Sequence, residues 1–213
     1  MKKALIITVF SLSLALSFTA FNMESPTQSL KVVDEGIEQI QEPVEEPTDE
    51  SNESEEAGLV YINTEMDIFL FIVESGWYYE NYNNMVVFYN TYSSNPYNSI
   101  AISSYDYPVS EENRISQTEL YIGQAVNNLE QIAENIEVTR TEDFIFGENS
   151  AYRYYYTGHL ISEDITIEGE YMYWWIGDRE YTCSLFCTTD QYKDFSNIMH
   201  DMLNNFQQPS TME

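Results

Sequence analysis

Basic side chains are scarce in this 213-residue chain, which has 8 Lys+Arg against 36 Asp+Glu and a formal net charge of −28. Such a charge repels phosphate backbones and anionic lipid, so it excludes binding to nucleic acid. Cysteine and histidine are equally scarce, with two of each. The cysteines, Cys183 and Cys187, lack the C-x-x-C spacing of redox and zinc motifs.

Sequence signatures of catalysis are absent as well. No serine lies in a G-x-S-x-G elbow, and the chain has neither H-E-x-x-H nor a Gly-rich phosphate loop. The chain therefore lacks the motifs of hydrolases and of nucleotide-dependent enzymes, and the sequence predicts a protein that is not an enzyme. The enzyme alternative rests on two pairs without a motif, Glu168 with Glu170 and Cys187 with His200.

Long apolar runs are missing, because no stretch reaches the roughly 20 residues of an ordinary membrane span. The folded domain is therefore not expected to insert into a membrane. The short apolar run from Ala4 to Phe18 follows two lysines and precedes Thr19-Ala20, which predicts a secretory signal peptide over residues 1–20. Cleavage after Ser17 or after Ala20 fits, and an uncleaved anchor is the alternative. Either way, the rest of the chain is predicted to be extracytoplasmic, as a secreted or cell-surface bacterial protein.

Residues 21–57 are dominated by Asp and Glu, and Pro43 and Pro47 interrupt any helix there. Such a segment buries too little apolar surface to offset its chain entropy, so we predict a disordered linker that charge repulsion extends. Its simplest role is a spacer that holds the following domain away from a surface. The alternative is an acidic tail that recruits a basic partner.

Residues 58–207 are predicted to form one α+β domain, followed by a flexible tail over residues 208–213. The chain is 43% hydrophobic and 15% aromatic, which is enough for a substantial core. Apolar spacing of three to four residues predicts a helix over 116–135 and another after Asp190, ending near Phe206. The first predicted strand, Ile68–Val73, is apolar on both faces, so both faces are expected to be covered, and Met85–Tyr89 is predicted to return beside it. The other predicted strands are Ser99–Tyr105, Ala151–Thr157, Ile165–Ile176 and Glu180–Thr188. This order predicts an antiparallel sheet with helices packed on its faces.

Three local patterns match a known family. A hydrophobic strand runs into Gly76-Trp77, the stretch 147–151 (GENSA) leads into the strand-rich half, and the last strand precedes a helix that ends in Asn205-Phe206. In this order they resemble the PsbP-like family, including its bacterial secreted and lipoprotein members. Glu74-Ser75 stands where the family usually has proline, and the lipobox cysteine is absent. The resemblance implies an α/β/α sandwich and a non-enzymatic, extracytoplasmic accessory or binding role.

Aromatic residues are the most distinctive feature of the domain. One group lies on the predicted strands of the second half, where large rings are typical of a sheet core. The other is interspersed with Asn and Ser, a composition typical of recognition loops, and it predicts a surface that binds a protein or another envelope component. This second group is Trp77, Tyr78, Tyr79, Tyr82, Tyr89, Tyr92 and Tyr97.

Carboxylates suggest an alternative function, binding of a small ligand or of calcium. Glu163, Asp164 and Glu168 are weak candidate ligands for Ca²⁺, because the D-x-D-x-D loop pattern is missing. Glu168 and Glu170 point the same way from one strand at roughly 6.6 Å, a separation compatible with a glycosidase-type hydrolase. On a strand Cys183 and Cys187 lie roughly 13 Å apart, beyond the limit of about 7 Å, so both are expected to be free, buried thiols without a disulfide.

Overall fold

The computed structural model describes residues 58–91, 93 and 97–211. The predicted signal peptide (1–20), the predicted acidic linker (21–57) and Tyr92 lie outside these residues. Among the described residues, no helix has both the length and the apolar character needed to cross a bilayer.

Ten strands and two α-helices follow one another along the described chain. The strands are β1 (Leu59–Asn63), β2 (Ile68–Ile72), β3 (Trp77–Tyr82), β4 (Met85–Asn90), β5 (Ser99–Asp106), β6 (Ala133–Arg140), β7 (Phe144–Phe146), β8 (Asn149–Leu160), β9 (Thr166–Ile176) and β10 (Arg179–Thr188). The helices are α1 (Glu111–Leu129), between β5 and β6, and α2 (Tyr192–Asn204), after β10. A short 3₁₀ helix, Pro209–Thr211, follows.

The main sheet is antiparallel and has the strand order β3-β4-β5-β10-β9-β8-β6, with β7 paired to the start of β8. β1 and β2 form a separate hairpin. One face of the sheet packs against α2 and this hairpin, and the other face packs against α1. The α+β architecture predicted from the sequence, a sheet with helices on its faces, is therefore confirmed.

Alternation along each strand separates two cores. Trp174, Leu185 and Ile102 point towards α2, whereas Tyr173 and Phe186 point towards α1. Successive side chains of a strand lie on opposite faces of the sheet, so adjacent large residues serve different cores. The aromatic strands of the second half therefore fill both layers.

The first hairpin differs from the prediction. β2 does not pair with Met85–Tyr89; it pairs with β1, and β4 pairs with β3. Only the inner face of β2 is buried, since Phe69 and Phe71 are half-exposed and Val60 and Ile62 opposite them are exposed. The expectation that this strand is covered on both faces was wrong, because its hairpin lies on the outside of the sheet as an outer layer.

The first helix begins and ends earlier than predicted, since α1 spans Glu111–Leu129 and not 116–135. Ala133, Ile136 and Val138 belong to β6, where a register shift lies between Glu134 and Glu137. A bulge inserts one extra residue into a strand. Ala133, Ile136 and Val138, which are three and then two residues apart, can therefore lie on the same face of the sheet. The interval of three between Ala133 and Ile136 also fits a helix, which explains why the boundary was wrong.

Gly169, in the first half of β9, permits a close approach of two other groups. The ring of Tyr156 lies opposite it on β8, and the Tyr156 hydroxyl donates to the Leu185 carbonyl oxygen at 2.8 Å. A Cβ atom at position 169 would overlap both that hydroxyl and that carbonyl oxygen. The site has no room for any side chain.

Gly169→Ala is therefore expected to lower the free energy of unfolding by about 3 kcal/mol, since overpacking a rigid core costs this much. The matched control is Gly123→Ala in α1, where a Cβ meets nothing within 4 Å. Helix propensity predicts a gain of up to about 1 kcal/mol there. Urea unfolding of both variants tests the pair, and equal stabilities would show that the packing around Gly169 is wrongly described.

Candidate functional site

The predicted aromatic recognition group divides in two. Trp77, Tyr89 and Tyr97 are buried, with 7%, 6% and 6% of their surface exposed, and belong to the cores. Tyr78, Tyr79 and Tyr82 are 45%, 41% and 37% exposed. Tyr92 lies outside the described residues. The exposed members of the group thus all come from one element, β3.

β3 lies at one end of the strand order and, within the described part of the chain, pairs only with β4. Tyr78 and Tyr82 point to the α1 side of the sheet, with Glu80 between them, and Tyr79 points to the side of the β1–β2 hairpin. The sequence did not predict this strand, because both of its faces are largely exposed and apolar alternation is absent. We call the exposed β3 side chains Tyr78, Tyr79, Glu80, Asn81 and Tyr82 the tyrosine edge.

Neighbouring rings hold the tyrosine edge in place. Tyr78 stacks on Tyr89 with 5.3 Å between ring centroids, and Tyr79 meets Tyr61 edge-to-face at 4.9 Å. The Tyr61 hydroxyl also donates to Asn81 Oδ1 at 2.8 Å. Because the rings rest on buried partners, little side-chain entropy remains to be lost when a ligand binds.

The opposite edge strand of the main sheet, β6, is built differently. It has a bulge between Glu134 and Glu137, where Asn135 has a φ of 53°. Its charged side chains are of both signs, the two glutamates and Arg140. Bulges and charged residues are the usual means of preventing strands from adding at a sheet edge. β3 pairs with β4 in unbroken register and has one charged residue, Glu80.

The chain segment that contains the tyrosine edge is acidic. Residues 58–113 contain no Lys, Arg or His, and they carry exposed Glu65, Glu74 and Glu80. The five Lys and Arg residues of the domain follow later, in α1 and beyond. Three of them are already engaged by carboxylates, namely Arg140 with Asp143, Arg153 with Glu170 and Arg179 with Asp106.

Glu170, one member of the predicted hydrolase pair, is fully buried between β9 and α2. Its carboxylate accepts hydrogen bonds from Arg153 Nε at 2.6 Å, Tyr192 Oη at 2.7 Å and Ser196 Oγ at 2.6 Å, and His200 Nε2 lies at 3.2 Å. Burial alone would raise the pKa of Glu170, but these partners outweigh it and lower the pKa to about 2. We call these five residues the Glu170 cluster.

The geometry of the Glu170 cluster is that of a structural link between α2 and the sheet. Ser196 and His200 both turn to the same carboxylate, so neither is arranged to activate the other as a nucleophile and its base. His200 also stacks on Phe144 at 4.5 Å. The sequence reasoning missed this cluster; the polar residues Tyr192, Ser196 and His200, spaced by four along one helix face, were the signal for it.

Glu180 is a second fully buried carboxyl, on the α1 side of β10. Its Oε2 accepts a hydrogen bond from Tyr121 of α1 at 3.2 Å, and its Oε1 has no partner among the described residues. The groups around it are Tyr105 and Tyr173 on the adjacent strands, and none of them is a cation. Burial therefore raises the pKa of Glu180 to about 8.

The weak candidates for calcium have separate partners. Glu163 accepts a hydrogen bond from Tyr97 and Asp164 lies 3.4 Å from His159, whereas Glu168 is hydrogen-bonded to Tyr155. In the part of the chain that the structure describes, no group of three or more His, Cys, Asp or Glu side chains is placed to hold a metal ion.

Cys183 and Cys187 are free and buried in the structure. Burial raises the pKa of both thiols, and the Cys187 thiol donates to the Glu168 carbonyl oxygen at 3.4 Å. A thiol with a raised pKa is a poor nucleophile at neutral pH, because the thiolate is the reactive form. His200, its proposed partner in the enzyme alternative, is engaged by Glu170.

Two cavities lie near the end of β5. One of about 370 Å³ surrounds Arg179, which is paired with Asp106 at 2.8 Å, and includes Asp67, which accepts two hydrogen bonds from Ser210. Ser210 is the third residue of the predicted tail. The other, of about 710 Å³, lies at the start of α1 and is lined by Tyr107, Pro108, Val109, Ser110, Asn113, Ser116, Gln117 and Leu120.

No protein-family model and no curated protein matches the chain. Among solved structures it is similar to a protein from Bacteroides thetaiotaomicron VPI-5482, with a TM-score of 0.50 and 12% identity over 74% of this chain and 50% of that one. The chain thus spans half the length of that protein. It is also similar to a cyanobacterial PsbP (CyanoP) from Synechocystis sp. PCC 6803, with a TM-score of 0.49 and 11% identity over 76% and 98% of the two chains. At 12% identity, the likeness to the Bacteroides protein concerns the fold alone.

Proposed function

We propose that this protein is a non-enzymatic, extracytoplasmic binding module that recognises a protein partner through the tyrosine edge. The observation that carries the proposal is the exposure of three tyrosines on an edge strand, two of which, Tyr78 and Tyr79, have rings held by buried neighbours. Tyr is enriched at the energetic centres of protein interfaces, because it contributes large contact area at low entropic cost. The extracytoplasmic location rests on the predicted signal peptide.

The polar groups elsewhere in the domain support binding in preference to catalysis. The carboxylate of Glu170 is occupied by four side chains, and the thiol of Cys187 is buried with a raised pKa. Neither pair of the enzyme alternative therefore offers a nucleophile or a proton donor beside an open site. Binding of a protein partner needs only the exposed surface.

A variant with Tyr78, Tyr79 and Tyr82 all changed to Ala is expected to bind the partner with an affinity at least about tenfold lower. The reason is that truncation of an interface tyrosine commonly costs about 1 kcal/mol or more of binding free energy. The bait is the full chain and the source is cell-envelope extract of the same organism. The retained partner is then titrated in purified form against both proteins. Because the rings are on an edge strand, circular dichroism is expected to show an unchanged fold.

The matched control replaces Ile145 and Ile161, which are exposed apolar residues away from β3, with Ala. It is expected to bind the partner as the native chain does. If the tyrosine variant binds with native affinity, the tyrosine edge is not the recognition surface and the proposal fails.

A further inference from the structure

The outer edge of β3 is open to strand addition. β3 is six residues long, pairs with β4 in continuous register and, within residues 58–91, 93 and 97–211, has no strand on its other side. Such an edge presents unpaired backbone N–H and C=O groups, which an extended polypeptide can satisfy. Proline, lysine and bulges, the features that usually block this pairing, are all absent from β3, whereas β6 at the far edge has a bulge.

The charge near this edge selects the kind of polypeptide that fits. Glu80 lies in the middle of β3, Glu74 precedes it, and Glu65 lies in the connection between β1 and β2. The Arg179 guanidinium lies against Glu65 and donates to its carbonyl oxygen at 2.8 Å, so Glu74 and Glu80 remain, and residues 66–113 contain no basic side chain to offset them. An acidic or neutral strand would gain no charge pairing here, whereas a basic strand pairs with Glu80 directly and associates faster.

Aromatic rings lie on both faces of the same strand. Tyr78 and Tyr82 are on one face and Tyr79 is on the other, so both faces of an added strand would meet a ring. Tyrosine faces attract Lys and Arg side chains through the ring quadrupole. The rings and the carboxylate therefore favour the same class of ligand.

We propose that β3 binds a basic polypeptide segment in extended conformation, which adds to the main sheet as a further strand beside the tyrosine edge. The inference rests on the proposed function and names the chemistry of the partner. The backbone edge supplies affinity, while Glu80 and the three tyrosines select cationic side chains in the added strand.

Three synthetic peptides test the proposal on the full chain, with backbone amide signals followed by NMR. One alternates Lys and Thr, the second is the same peptide with every backbone nitrogen methylated, and the third alternates Glu and Thr. The Lys–Thr peptide is expected to shift the amide signals of residues 77–82, more strongly at low salt than at high salt. The other two are expected to bind at least about tenfold more weakly, because the methylated peptide has no backbone N–H to donate to the ladder and Glu–Thr has the wrong charge.

A matched pair of variants localises the effect. Glu80→Lys is expected to abolish the shifts caused by the Lys–Thr peptide. Glu148→Lys makes the same charge change at an exposed position of the turn between β7 and β8 and is expected to leave them intact. Equal shifts from the methylated peptide would overturn strand addition, and equal shifts from Glu–Thr would overturn the charge preference.

The outcome separates the inference from the proposed function. If no peptide shifts the β3 signals while the envelope partner is still lost in the tyrosine variant, the inference is wrong and the proposed function stands. If the envelope partner is retained by the tyrosine variant, the proposed function itself is wrong.

Discussion

A Glu180→Gln variant is expected to be more stable than the native protein, with a gain that grows from about pH 5 to about pH 9. Glu180 is fully buried, faces no cation and receives one hydrogen bond, from Tyr121. Its pKa is about 8 in the folded protein, against 4.5 for the ordinary group. The carboxyl is therefore protonated in the folded state over a pH range in which the unfolded chain has released the proton.

Because of this bound proton, the stability that Glu180 contributes falls as the pH rises. Stability from a group with a raised pKa is fully present below about pH 4.5 and is lost as the pH rises towards about 8. One pKa unit corresponds to about 1.4 kcal/mol, so the full loss amounts to a few kcal/mol. Glutamine keeps the shape of the neutral acid and accepts the Tyr121 bond, but it has no proton to release.

Urea unfolding of the native chain and of Glu180→Gln across this pH range measures the difference directly. Glu119→Gln, an exposed change of equal charge on α1, is the control for the general reduction of negative charge. The Glu180 variant is expected to gain stability over this control only above about pH 5. A constant difference between the two variants would show that Glu180 does not titrate inside the fold.

Glu170→Gln is expected to have the opposite effect and to destabilise the protein by about 3–5 kcal/mol at neutral pH, as breaking a buried ion pair generally does. The substitution removes the charge that Arg153 and His200 face, and it forces Tyr192 and Ser196 to donate to a neutral amide. α2 loses its main polar contact with the sheet, so it is expected to unfold locally at lower urea concentration than the sheet.

The pH dependence of Glu170 is also reversed. Its pKa is lowered to about 2, so its contribution is present above about pH 4.5 and is lost as the pH falls towards 2. Glu168→Gln, on the same face of the same strand, is the control and is expected to cost less than about 1 kcal/mol. If both variants are equally stable, the Glu170 cluster does not hold α2 in place.

Glu168 and Glu170 show what can and what cannot be predicted from the sequence. Glu168 and Glu170 alternate along one strand and look alike in the sequence, yet Glu170 is buried and Glu168 is not, because only Glu170 lies beneath Tyr192, Ser196 and His200. That difference depends on where α2 crosses the sheet, which no local pattern specifies.

The long strands and both helices were predictable because each repeats apolar residues with one period. β9 and β10 alternate between two cores, and α2 places Phe195, Met199 and Met202 on one side. The strands that escaped prediction are β1, β3, β6 and β7, of which β3 and β6 are the two edges of the main sheet and β1 belongs to the outer hairpin. An edge strand has less surface to bury, so its sequence shows weak alternation.

The recognition group illustrates the same limit. Composition singled out seven aromatic residues as one surface, but it could not separate Trp77 and Tyr89, which fill the cores, from the exposed Tyr78 and Tyr79. Exposure depends on which neighbouring strand or helix covers each ring. What the sequence did indicate is the segment in which the tyrosine edge lies.

Amide hydrogen exchange of the full chain, with and without its envelope partner, tests the central claim most directly. The account predicts that the partner slows exchange in β3, residues 77–82, and leaves β6, residues 133–140, unchanged, so that the two edges of one sheet serve as each other's control. Slower exchange at β6 or around α1, with β3 unaffected, would contradict the claim that the tyrosine edge is the binding surface.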